Sequence, residues 1–96
     1  MSTVESTLEQ RGARYGEFAD HADICQALKD VMYKSKPAGV SGWTKLPNVH
    51  KQALDVIMDK VARILSGDHN YDDNWHDIQG YAKLVEDHIH KLTTKE

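Results

Sequence analysis

Near the C-terminus the apolar residues Trp75, Ile78, Tyr81, Ala82, Val85, Ile89 and Leu92 recur at three- and four-residue intervals. A half-buried strand shows alternate residues to a core, whereas this spacing lays one stripe along a helix. Two other segments carry the same signature. Phe18, Ala22, Ile24, Cys25, Leu28, Val31 and Met32 mark a helix over about 17–34, and Ala53, Leu54, Ile57, Met58, Val61, Ile64 and Leu65 mark one over about 47–65. No segment alternates with period two for long enough to be a strand. The pattern predicts an all-α fold: a small helical bundle of three main helices plus a short N-terminal helix.

The breakers agree with these bounds. Ser2 followed by Glu5 has the spacing of a capping box and opens the short first helix, which runs to about Gln10. Gly12 and Gly16 are expected to break it. Pro37, Gly39, Ser41 and Gly42 make 36–42 a loop, with Trp43 anchoring it on the domain. Pro47 suits the first turn of the third helix and Gly67 its end. Asp72, Asp73 and Asn74 can each cap the last one.

Length and charge bound the function classes. A chain of 96 residues makes one domain over 1–96, and three amphipathic helices in so short a chain rarely close a full core. That points to a homo-oligomer. The net charge of −3 argues against a protein whose main task is gripping nucleic-acid backbone. The one cysteine, Cys25, cannot form an internal disulfide and falls in an apolar stripe, so it reads as core in a reducing compartment. No apolar run approaches the ~20 residues of a membrane span, and the N-terminus lacks the pattern of a secretory signal. The expectation is a soluble cytoplasmic protein with no membrane partner.

Several polar groups merit a chemical test. Asp68, Asn70, Asp72 and Asn74 alternate like the first half of a calcium loop, but Asp73 stands where the turn glycine belongs and Gln79 where the closing glutamate belongs. His69, Asp73, His76 and Asp77 are spaced as transition-metal ligands would be on a helix, without a second pair at zinc-motif spacing. His88 and His90 are two apart and diverge. Asp55 and Asp59 point away from the stripe of Leu54, Ile57 and Val61, so they read as a solvated face in a charged ladder with Lys51 and Arg63. Lys60 borders the apolar stripe of the third helix, and Asn74, Asp77 and Tyr81 border or flank that of the last one. A polar group at such a boundary needs a partner, so Lys60 is expected to pair with Asp77. These four residues read either as a structural ion pair with a buried tyrosine or as a pocket for an anionic, nucleotide-like ligand. Arg11, Arg14 and Tyr15, flanked by glycines, form a basic patch able to contact an anion, though no Gly-Lys-Ser/Thr ending makes it a phosphate loop.

The segments 11–20, 60–67 and 73–82 together resemble a family of small uncharacterised phage and prophage proteins. Asp73-Asn74-Trp75-His76-Asp77-Ile78-Gln79-Gly80-Tyr81-Ala82 carries the resemblance most specifically. It implies a phage-derived accessory protein made in the bacterial cytoplasm, and no reaction. The last helix also resembles the second acidic helix of MazG-like all-α nucleotide pyrophosphohydrolases, with Asn74-x-x-Asp77 in place of the family's Glu-x-x-Asp. Where a preceding helix of that family supplies Glu-x-x-Glu for Mg²⁺, this chain offers Lys60-x-x-Arg63. Two cations there repel Mg²⁺ but can touch phosphate directly.

Three readings follow. The first is an accessory protein that binds a nucleotide-like ligand or a host protein through Lys60, Asn74, Asp77 and Tyr81, with Arg11, Arg14 and Tyr15 as anion contacts. The second is a divergent pyrophosphohydrolase using Asp77 and Asp73 with Mg²⁺, the one reading that calls for a cofactor. The third is a helical interaction module in which all these residues are structural.

Overall fold

The protein is described from a computed structural model over residues 3–35 and 42–94, apart from the side chains of Ala13, Tyr15 and Thr94. Four α-helices follow one another: α1 (Val4–Tyr15), α2 (Phe18–Tyr33), α3 (Asn48–Ser66) and α4 (Asp72–Thr94), with a 3-10 turn at Trp43–Lys45 before α3. The all-α expectation holds, and the described residues contain no strand. The expected cap Ser2 and the loop positions 36–41 lie outside the described residues.

Helix α1 begins at Thr3, whose Oγ1 accepts the Ser6 N–H at 3.1 Å. It then runs through Gly12, contrary to the expected break, and ends at Gly16. One glycine inside a helix costs only about 1 kcal/mol relative to alanine, too little to end a helix that has neighbours to pack on. Gly16 differs. Its φ of 81° is left-handed, its N–H donates to the Gly12 carbonyl at 2.9 Å, and a Cβ there would fall inside the Ser66 carbonyl. The Asp68 N–H donates to the Arg14 carbonyl at 3.0 Å. The end of α1 is thus fastened to the end of α3.

Trp43 holds the turn before α3 against the end of α2, while positions 36–41 of the loop it was expected to anchor lie outside the described residues. Its ring packs against Tyr33 with centroids 4.7 Å apart, and its N–H donates to Ser35 Oγ at 3.2 Å. Lys51 Nζ lies 5.9 Å from the ring centroid.

Helix α3 is the middle of the fold. Helices α2 and α4 each pack along it, and the described residues show no extensive contact between those two flanking helices. Both run antiparallel to α3, since Cys25 meets Asp59 while Tyr33 meets Asp55, and a short connection joins α3 to α4. The fully buried apolar residues among those described are Cys25, Ala53 and Ala62. At ~100° per residue, Ala53 and Ala62 lie on opposite sides of α3, where small side chains let two neighbours approach closely. The outcome is a layer of three helices with α1 docked by its end. Its radius of gyration is 16.3 Å, against about 12.5 Å for a compact domain of this length.

The two glycines should respond oppositely to alanine. Gly16→Ala should lower unfolding free energy by at least about 2 kcal/mol, because both its φ and the Ser66 carbonyl exclude a Cβ. Gly12→Ala has open space around it and should raise stability by up to about 1 kcal/mol. Urea unfolding followed by circular dichroism measures both.

Candidate functional site

At the α3–α4 boundary Lys60 Nζ lies 2.8 Å from Asp77 Oδ2, the pairing expected from the helical phase. The lysine is mostly buried, and its hydrogen bond holds the Asp77 carboxyl below its ordinary value against a smaller opposing effect of burial. Asn74, on the same side of α4, is only 1% exposed, and its Nδ2 is buried without a partner among the described residues. Tyr81 is half-buried one turn beyond Asp77. The boundary brings the ion pair together; no cavity among those described is lined by any of these four residues.

The basic patch near the end of α1 is divided. Arg11 lines a cleft of about 730 Å³ together with Leu8, Gly12, Phe18, His21 and Arg63. Arg14 instead stacks on Tyr71, its guanidinium carbon 4.5 Å from the ring centroid, while the Tyr71 hydroxyl donates to Asp73 Oδ2 at 2.8 Å. Tyr15 ends α1, and its side chain lies outside the described residues.

The polar stretch before α4 serves local structure. Asp68 Oδ1 accepts the Asn70 N–H at 2.9 Å, which is an Asx turn, and the His69 carbonyl accepts the Trp75 indole N–H at 3.0 Å. Asp72 and Asp73 occupy the acidic first turn of α4, where the helix dipole favours them. His69, Asp73, His76 and Asp77 do not form a ligand cluster among the described residues.

The assignment of Asp55 and Asp59 to a solvated ladder is corrected by the structure. Asp55 Oδ1 accepts the Tyr33 hydroxyl at 2.6 Å, and that hydrogen bond, with some burial, pushes the phenol up to about 12. Asp59 Oδ1 accepts the Cys25 thiol at 2.9 Å and lies 3.9 Å from His21 Nε2; Oδ2 lies 3.6 Å from Lys29 Nζ. The physical reason is that α3 has two packed sides. Facing away from one apolar stripe turns these aspartates towards α2, where they find partners while staying partly open to water.

Cys25 is buried, as expected of a core residue, but it is also hydrogen-bonded. Burial first, then the hydrogen bond to Asp59, pushes its thiol up to about 11, so it is protonated at neutral pH. Burial alone would raise Asp59; the Cys25 hydrogen bond and the Lys29 charge outweigh it and hold the carboxyl below its ordinary value. His21, Cys25 and Asp59 each bring one ligand atom within 4.8 Å of the others, the one such trio among the described residues. The spacing of His21 and Cys25, four apart on α2, is the signal in the sequence that could have found it.

The Lys60–Asp77 pair gives a pH test. A carboxyl held low in the folded state contributes stability that is present above its unfolded value near 3.9 and lost as pH falls through the lower folded value. Asp77→Asn should therefore lower the melting temperature at pH 7, on the order of 5 °C for roughly 1 kcal/mol. The gap to the native protein should close as pH falls below about 4. Thermal melts across pH measure it, and an equal gap at all pH values would show that the pair contributes no charge-dependent stability.

No family model, no curated protein and no solved structure matches the chain, so the resemblances carried by 11–20, 60–67 and 73–82 rest on those residues alone.

Proposed function

We propose that this protein is a self-associating helical module that buries one apolar face against a second copy of itself. The observation that carries the reading is a row of large, open apolar side chains along one side of the layer. From the antiparallel arrangement and ~100° per residue, Val31 of α2, Val61 and Leu65 of α3, and Trp75, Ala82 and Ile89 of α4 project to the same side. Val31 is 73% exposed, Leu65 63%, Trp75 51% and Ile89 41%. Large apolar side chains left open on one side mark a docking face.

The area fits a second copy. The chain exposes 7243 Å², whereas a compact monomer of 10.9 kDa exposes roughly 5,600 Å². Covering half of that surplus of roughly 1,600 Å² on each chain already reaches the ~1,600 Å² total of a stable interface. A two-fold axis would set the same face on itself, each layer supplying the half of the core that the other lacks.

A second reading, an anionic nucleotide-like ligand, draws support from the cleft beside α1, where Arg11, Arg63 and His21 stand among the lining residues, although Glu9 and Glu17 also line it and oppose an anion. The Mg²⁺-dependent pyrophosphohydrolase reading draws least support, because Asp77 is held by Lys60 and Asp73 accepts from Tyr71.

Self-association predicts that the melting temperature rises with protein concentration, since the partner binds only the folded chain. Ile89→Glu, placing a charge on the apolar face, should abolish that concentration dependence and lower the midpoint. A midpoint independent of concentration over a hundredfold range would refute the reading. For the second reading, inorganic phosphate or a nucleoside triphosphate should raise the midpoint of the native protein and of Lys60→Ala, but not of Arg11→Ala.

A further inference from the structure

We propose that His21, Cys25 and Asp59 form a binding site for a thiophilic divalent transition metal ion, of which Zn²⁺ is the best fit. The donor set is one imidazole nitrogen, one sulfur and one carboxylate oxygen, the three protein ligand types that zinc accepts. His21 and Cys25 stand one helical turn apart on α2, so their side chains share a face, and Asp59 meets them from α3.

The two oxygens of Asp59 have different neighbours, and this division favours an ion. Oδ1 is the atom that faces both other donors, 2.9 Å from Cys25 Sγ and 3.9 Å from His21 Nε2. Oδ2 is turned to Lys29 Nζ at 3.6 Å. A tetrahedral zinc ion with bonds of ~2.0–2.3 Å sets its ligand atoms roughly 3.3–3.8 Å apart. Side-chain rotations that open the sulfur–oxygen contact and close the nitrogen–oxygen one approach that spacing, and the nitrogen–sulfur edge lies within 4.8 Å. Lys29 then serves as an outer partner that orients the carboxylate, a role metal sites commonly give to a group beyond the ligands.

His21 supplies an independent sign. Its Nε2 is buried and has no hydrogen-bond partner among the described residues, although it points into a cluster containing a carboxylate. A buried polar atom without a partner costs on the order of 1–3 kcal/mol, and metal coordination is one way to satisfy it. His21 also lines the cleft beside α1, which gives an ion a route from solvent. On binding, the Cys25 S–H bond breaks, the sulfur–metal bond forms with the sulfur's electron pair, and the proton passes to water. Thiolate and carboxylate together balance the two positive charges of the ion, and Lys29 stays paired through Oδ2.

The chain contains one cysteine, which makes cobalt a decisive probe. Titrating the full reduced chain with Co²⁺ should produce a thiolate-to-cobalt charge-transfer band in the near ultraviolet that saturates at one ion per chain and disappears when Zn²⁺ is added. Only Cys25 can give that band, so its absence in the native protein overturns the proposal whether or not any variant folds. Cys25→Ser should lose the band, and His21→Gln and Asp59→Asn should each weaken Co²⁺ binding by at least about tenfold, taking the loss seen for outer partners as the lower bound. Five other histidines offer adventitious sites, so His88→Gln should leave both band and affinity unchanged. Binding that is equal in native protein, His21→Gln and Asp59→Asn would place the ion elsewhere and contradict the assignment.

Discussion

Ala53 and Ala62 face opposite ways from α3, and the close approach of α4 on one side and α2 on the other depends on them. A helix packed on two opposite sides becomes the centre of a layer, whereas three helices that all touch form a closed core. Two consequences follow from the layer. Among the described residues its apolar face stays open, and its charged side chains pair at helix–helix boundaries without lying in an apolar interior. The fastening of Gly16 to the end of α3 sets α1 beside the cleft lined by Leu8, Phe18, His21 and Arg63.

The helices were legible because each carries a stripe with helical period and ends near a residue that cannot continue it. Lys60 and Asp77 were legible for the same reason: both border a stripe, and a border charge facing a packed neighbour requires an opposite charge. Gly12 misled, since a glycine inside a helix is a modest penalty that end-to-end docking overrides. Asp55 and Asp59 misled for a deeper reason. A helical wheel drawn around one apolar stripe treats everything opposite as solvent, and that holds only for a helix with a single packed side. The second side of α3 is built from Ala62 and the two aspartates, and it looks like surface until α2 is laid against it.

The same blindness hid the trio of His21, Cys25 and Asp59. Each residue alone has an ordinary reading: a histidine at a helix edge, a cysteine in a core stripe, a surface aspartate. Their chemistry comes from an approach between α2 and α3 that no local pattern encodes. By contrast, the aspartates around 68–77, which look like ligands in the sequence, fold into a turn and a helix start where Asp68 accepts the Asn70 N–H, Asp73 the Tyr71 hydroxyl, and Asp77 pairs with Lys60. Proximity in the chain and proximity in space point to different sites here, and the more enclosed one is the one the sequence concealed.

The layer thus carries an open apolar row on one side, a cleft beside α1, and the trio between α2 and α3. The most direct measurement of the association is the solution mass by sedimentation equilibrium at micromolar concentration. A self-associating layer should show a mass of two chains, twice 10.9 kDa, with the helical content of α1 to α4 intact. A single folded chain at 10.9 kDa under the same conditions would contradict it.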